Sequence, residues 1–183
     1  LNLMEIGVTA LASNDLEHAR NAFDKVLDGI ESIWGTGKAA KKARQLWYNE
    51  DKKIFKGAPY ERVMAYYYRG LIYLANHQYG NARAVFRAGQ IQDAFAEERN
   101  HRADFALMKY LEGWASKCRG DPDLASKAFA KAKEFNSGLP VPNEGQNAIV
   151  IAELGYAPRK VTDGVGHYQL KYRRARSNET QAT

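Results

Sequence analysis

The chain has 183 residues, of which 45% are hydrophobic and 26% charged, with a formal net charge of +6. That is enough chain to bury a core, and the composition excludes wholesale disorder. The single cysteine, Cys118, excludes a disulfide framework and a multi-cysteine zinc or iron–sulfur site, and no apolar run is long enough to span a membrane as a helix.

The first segment, Leu1 to Ala12, lacks the basic start of a signal peptide and carries Glu5, so it reads as the opening turns of a helix. Because the chain begins at Leu1 rather than Met, it is expected to be processed or a fragment. Three windows then share one pattern. Gly7, Ala19 and Phe23 recur as Gly70, Ala82 and Phe86, and again as Gly113, Ala125 and Phe129. The offsets from Gly to Ala and from Gly to Phe are the same each time. The linking loops are also alike: Ser13-Asn14-Asp15, Asn76 to Gly80, and Arg119-Gly120-Asp121. This spacing describes a helix–turn–helix. The Gly lets the second helix approach, the Ala sits at the close contact, and the Phe fills the gap to the next pair.

Between the first two windows, Lys38 to Asn49 predicts a helix with Ala39, Ala43, Leu46 and Trp47 on one face. Phe55 to Pro59 breaks it. Helices are expected over Tyr60–Asn76, Gln78–Ala96, Arg102–Cys118 and Pro122–Asn136. At Asn136 to Gly145, two Pro and two Gly mark a linker. Asn147 to Leu154 is a β-branched run and His167 to Tyr172 alternates, so the two are expected to pair as a hairpin. Arg173 to Thr183 is polar and is expected to be disordered.

The Gly–Ala–Phe constellation resembles the tetratricopeptide repeat, whose unit is about 34 residues. The stretches from Phe55 to Met64, Tyr68 to Leu74, Asn81 to Arg87 and Asn147 to Lys160 are further similar to a group of poorly characterised bacterial tetratricopeptide lipoproteins and envelope proteins. The resemblance implies a mainly α fold, a solenoid of helix pairs with a short C-terminal β-hairpin. Units would fall at about 1–33, 62–98 and 102–138, with a helical insertion at 34–61, a linker at 139–146, a hairpin at 147–172 and a basic tail at 173–183. It also implies a bacterial envelope or periplasmic address, with the cytoplasm as the alternative, a binding or assembly role, and no established reaction.

In such arrays the first helix of each pair lines a groove. Those positions here are Leu1, Met4, Val8 and Leu11, then Met64, Tyr67, Leu71 and Leu74, then Leu107, Tyr110, Trp114 and Lys117. The apolar set predicts a protein partner, or a second copy, held in the groove or by strand addition at 147–154, unless the 38–50 helix or the hairpin already fills the trough.

Charge offers an alternative. Residues 1–33 carry two basic and six acidic groups, whereas 34–62 carry eight and three. The segments 38–53 and 171–176, with Trp47, Tyr48 and Tyr172 interleaved, have the composition of a single-stranded nucleic-acid binder. No base-reading motif accompanies them, so a solvated helix face and a basic tail are the simpler expectation.

No catalytic, cofactor or metal site is predicted. Glu98 and His101 have metal-ligand spacing, but only one such motif occurs and Arg99 and Arg102 flank it. His18, His77 and His167 are scattered surface or loop residues. Lys117 and Arg119 beside Cys118 would lower its pKa if exposed, and a helix C-terminus would oppose that. Gly35-Thr36-Gly37-Lys38 lacks the spacing of a phosphate loop.

Overall fold

A computed structural model describes residues 2–34, 59–94, 105–153, 159–163 and 169–173. Among these it is mainly helical. The helices are α1 (Leu3–Ala12), α2 (Leu16–Trp34), α3 (Pro59–Ala75), α4 (Tyr79–Ala94), α5 (Ala106–Arg119) and α6 (Pro122–Phe135). The chain divides into two compact units, Leu1–Glu144 and Gly145–Thr183, and all six helices belong to the first.

Helix ends follow local chemistry. Asn2 caps α1, its side-chain oxygen accepting the Met4 N–H at 3.1 Å. Asp15 does the same for α2, accepting the His18 N–H at 3.1 Å. Pro59 and Pro122 open α3 and α6, where the missing N–H costs nothing. The expected helices are found with ends shifted by a few residues, except that the start of α5 falls at Ala106 and the predicted Lys38–Asn49 helix lies outside the described residues.

α1 packs on α2, α3 on α4 and α5 on α6, each pair antiparallel through a short turn. The three turns share one hydrogen-bonding scheme. Asn14, His77 and Gly120 all take the left-handed conformation, with φ of 58°, 57° and 86°. Their N–H groups donate to Leu11, Leu74 and Lys117 carbonyls at 3.0 Å. The next N–H groups, of Asp15, Gln78 and Asp121, reach back to Ala10, Tyr73 and Ser116. This double closure satisfies carbonyls that a helix end leaves open.

The repeated Gly and Phe meet in space. A Cβ at Gly7 would lie 2.7 Å from Phe23 Cζ, and one at Gly113 would lie 2.8 Å from Phe129 Cδ1. At Gly70 it would lie 2.6 Å from Phe86 Cζ. The ring therefore covers the glycine of its own pair, which the reading of Phe as a filler toward the next pair did not include. Phe23 does both, since its ring also stacks on Tyr68 of α3 at 5.5 Å. Ala19, Ala82 and Ala125 are all buried.

The pairs are joined in turn: α3 packs on α2, and α5 on α4. Each seam holds a buried charge. Arg69 is 5% exposed and its Nε donates to Asp24 Oδ1 of α2 at 2.5 Å, with the guanidinium 3.7 Å over the Tyr73 ring. Glu112 is 6% exposed; its Oε2 accepts from Gln90 Nε2 of α4 at 3.0 Å and from Lys109 Nζ at 2.7 Å. Gly89 of α4 is the close-approach point of the second seam, where a Cβ would strike Met108 Cε and lie 2.8 Å from Tyr66 Cβ.

The second unit differs from expectation. The predicted pairing of 147–154 with 167–172 is not seen. Residues 147–153 form neither helix nor strand. Instead β1 (Arg159–Asp163) pairs antiparallel with β2 (Gln169–Arg173), Arg159 opposite Arg173 and Asp163 opposite Gln169. The β-branched run satisfies strand propensity, but a strand also needs an aligned partner, and these two short segments find each other across a short connection. Of the expected tail, only Arg173 lies among the described residues, at the end of β2.

Candidate functional site

The predicted groove positions do not form an open trough. Tyr67, Tyr110 and Trp114 are 2%, 9% and 5% exposed, which makes them core residues. Met64, Leu71, Leu74, Leu107 and Lys117 are half-buried. The reason is aromatic packing. Tyr67 lies 5.0 Å from the Tyr68 ring and 6.4 Å from Phe105, and Tyr110 lies 5.0 Å from Phe129. Rings of this size bury 150–250 Å² each, so wherever a neighbour is in reach they close onto it. In the first pair, Met4, Val8 and Leu11 pack half-buried against Ala19, Phe23 and Ile72. Leu1 lies outside the described residues.

Lys117 stands at the rim. Its ammonium sits 5.4 Å over the Trp114 ring and donates to the Glu144 carbonyl at 3.5 Å. That bond returns the linker to the end of α5. Leu139 and Pro142 along the same linker are half-buried.

Beyond the linker the chain presents apolar groups. Asn147 to Glu153 lies outside any helix or strand. Ile149 and Ile151 are half-buried, while Val150 between them is 91% exposed.

A different surface opens at the start of the helical unit. A shallow crevice of about 720 Å³ is lined by Glu5, Ile6, Thr9, Ala10, Ser13, Asp15 and His18. His18 Nδ1 and Asp15 Oδ2 are 2.7 Å apart. The His18 backbone N–H, first, and its imidazole hold the Asp15 carboxyl below its ordinary value.

The remaining titratable groups show structural causes. Burial pushes the Tyr66 phenol well above its usual range, and Glu31 of α2, which shares a hydrogen bond with it, adds to the rise. Burial raises the Cys118 thiol and outweighs the opposing Lys117, leaving the balance on the side that the sequence reading gave to the helix C-terminus. His18 and His77 are exposed, and His77 Nδ1 bonds Tyr79 Oη at 2.8 Å. Among the described residues no group of three His, Cys, Asp or Glu is placed to hold a metal ion, and no helix is long and apolar enough to cross a membrane.

Several predicted positions lie outside the described residues: Glu98, His101, His167 and the 38–53 segment. Of 171–176, Lys171, Tyr172 and Arg173 are in β2, in register with Val161, Lys160 and Arg159.

Sequence reasoning missed Arg69, Glu112, Gly89 and the seam partners Asp24 and Gln90. One signal was available. Arg69 and Glu112 each stand directly before the repeated glycine, inside otherwise apolar helical runs.

No protein-family model matches the chain. No curated protein and no solved structure matches it either.

Proposed function

We propose that the chain is a non-enzymatic protein-binding and assembly module of the tetratricopeptide type, working in the bacterial cell envelope. The repeat reading is supported by one Gly–Phe contact and one turn geometry recurring at equal offsets in three helix pairs. The envelope address rests on the sequence resemblance.

The partner is engaged by strand addition through Asn147–Glu153. The observation that carries this is Val150, 91% exposed between the β-branched Ile149 and Ile151 in a segment outside any helix or strand. Main-chain groups of such a segment supply affinity when it joins the edge of another sheet, and its alternate side chains supply specificity. Burying Val150 against the partner contributes about 1.5 kcal/mol or more. Met64, Leu71, Leu74 and Leu107, half-buried along α3 and α5, offer a second contact line. Tyr67, Tyr110 and Trp114 shape it from beneath.

The test is a pull-down from native extract with wild type, Val150→Asp and Leu71→Ala in parallel, read by quantitative mass spectrometry. Strand addition predicts a partner retained by wild type and Leu71→Ala and reduced about tenfold or more by Val150→Asp. Retention by wild type and both variants would refute it, and loss with Leu71→Ala alone would move the interface to the helices. Val150 is exposed, so circular dichroism of the Val150→Asp chain should match wild type.

A further inference from the structure

The segment assigned to strand addition is symmetric about its exposed centre. Ala148 to Ala152 reads the same in both directions: Ile149 and Ile151 flank Val150, with Ala148 and Ala152 beyond them. Gly145 and Gly155 bracket the run at equal distances, and Asn147 on one side answers Glu153 on the other. A strand recruited by an unrelated sheet has no use for such symmetry, because each of its residues meets a different neighbour. Two copies of one strand do, since a two-fold axis makes both partners present the same surface.

Antiparallel pairing about Val150 fixes which residues stand opposite. Val150 meets its own equivalent, Ile149 of each copy meets Ile151 of the other, Ala148 meets Ala152, and Asn147 meets Glu153. Side chains alternate along a strand, so the isoleucines of both copies share one face, and Ala148, Val150 and Ala152 share the other. The burial pattern already follows that division. Ile149 and Ile151 are half-buried, while Ala148 and Ala152 are exposed and Val150 is 91% exposed. A two-stranded ribbon bare on both faces is marginal in water, and here the isoleucine face is partly covered within each copy. Charge agrees with the antiparallel sense. Glu153 is the one charged residue of 147–153, and it stands across from Asn147. Parallel pairing in register would set Glu153 against Glu153, which is destabilising.

We propose that the strand added at 147–153 is the same segment of a second copy of this chain, paired antiparallel about Val150. The two-fold closes the contact, so association stops at the dimer. This inference rests on the strand-addition reading and names its partner.

Cross-linking of single-cysteine chains tests it, with Cys118→Ser as the background because Cys118 is the one native cysteine. Opposed residues in an antiparallel pair have Cα atoms about 4.5–5.5 Å apart, within the span of a disulfide. Val150→Cys should therefore oxidise to a covalent dimer. Ala148→Cys alone should not, since its two copies would stand roughly 14 Å apart along the ribbon, but mixed with Ala152→Cys it should. Sedimentation velocity of wild type over a hundredfold concentration range should show monomer passing to dimer and no further. Val150→Asp, which sets two carboxylates across the axis, should weaken that association by about tenfold or more. A Val150→Cys chain that forms no more dimer than Ala148→Cys overturns the self-pairing, as does a wild type that stays monomeric or grows past the dimer. Strand addition itself is judged apart from this: it survives if a different protein still depends on Val150 in the pull-down, and fails if none does.

Discussion

Replacing Gly70 by alanine should destabilise the protein although alanine is the better helix former. Two opposing effects set the magnitude. In a helix interior Gly→Ala gains about 1 kcal/mol from propensity. Against that, the new methyl would lie 2.6 Å from Cζ of Phe86 and closer still to Cε1. Phe86 is fully buried, and its ring cannot swing aside without displacing its neighbours. Overpacking of this kind costs about 1–3 kcal/mol, at its upper end against an aromatic ring. The net is a loss of about 2 kcal/mol at Gly70. Gly29 of α2 is the internal control, because a Cβ there meets nothing within 4 Å. Gly29→Ala should therefore gain about 1 kcal/mol. Urea unfolding followed by circular dichroism at 222 nm measures both. Adding Phe86→Leu to Gly70→Ala should cost less than the two singles summed, since the smaller side chain relieves the clash. If Gly70→Ala is as stable as wild type, or if both glycine variants shift in the same direction, the close contact is not the reason for the glycine.

Other outcomes follow from the turns and seams. His77 holds a left-handed conformation that Gly120 holds freely, so His77→Gly should gain about 0.5 kcal/mol and Gly120→Ala should lose about 1 kcal/mol in the same urea assay. Glu112→Ala removes the acceptor of Lys109 and one of the two acceptors of Gln90 beside a buried seam and should cost about 2 kcal/mol. Asp15 is lowered on folding from an ordinary value of 3.8, so its contribution is present above that pH and is lost as the pH falls through the lower folded value. Acid titration of stability in Asp15→Asn should show a shallower fall below pH 3.8 than wild type.

Much of the helical unit is written in local sequence. Gly7–Phe23, Gly70–Phe86 and Gly113–Phe129 are contacts across one short turn, so a fixed offset suffices to find them. Asn14, His77 and Gly120 at the turns were visible for the same reason. What depends on other parts of the chain was less legible. Tyr67, Tyr110 and Trp114 occupy positions that line a groove in the family resembled, yet Tyr68, Phe105 and Phe129 close over two of these rings. Whether a ring is open or covered is decided by residues distant in sequence. Arg69 and Glu112 are buried where Asp24 and Gln90, distant in sequence, come to them, and nothing local names those partners. The β-branched run at 147–153 reads as a strand in the sequence yet forms none, whereas β1 and β2 pair with each other.

Strand addition at 147–153 is the central claim, and hydrogen–deuterium exchange of the captured complex tests it most directly. Strand addition places the 147–153 amides in a ladder with the partner, so their exchange should slow by at least tenfold on capture while α1 to α6 change little. Unchanged exchange across 147–153, with new protection along Met64 to Leu74 or around Leu107, would contradict the account and return the partner to the helical face.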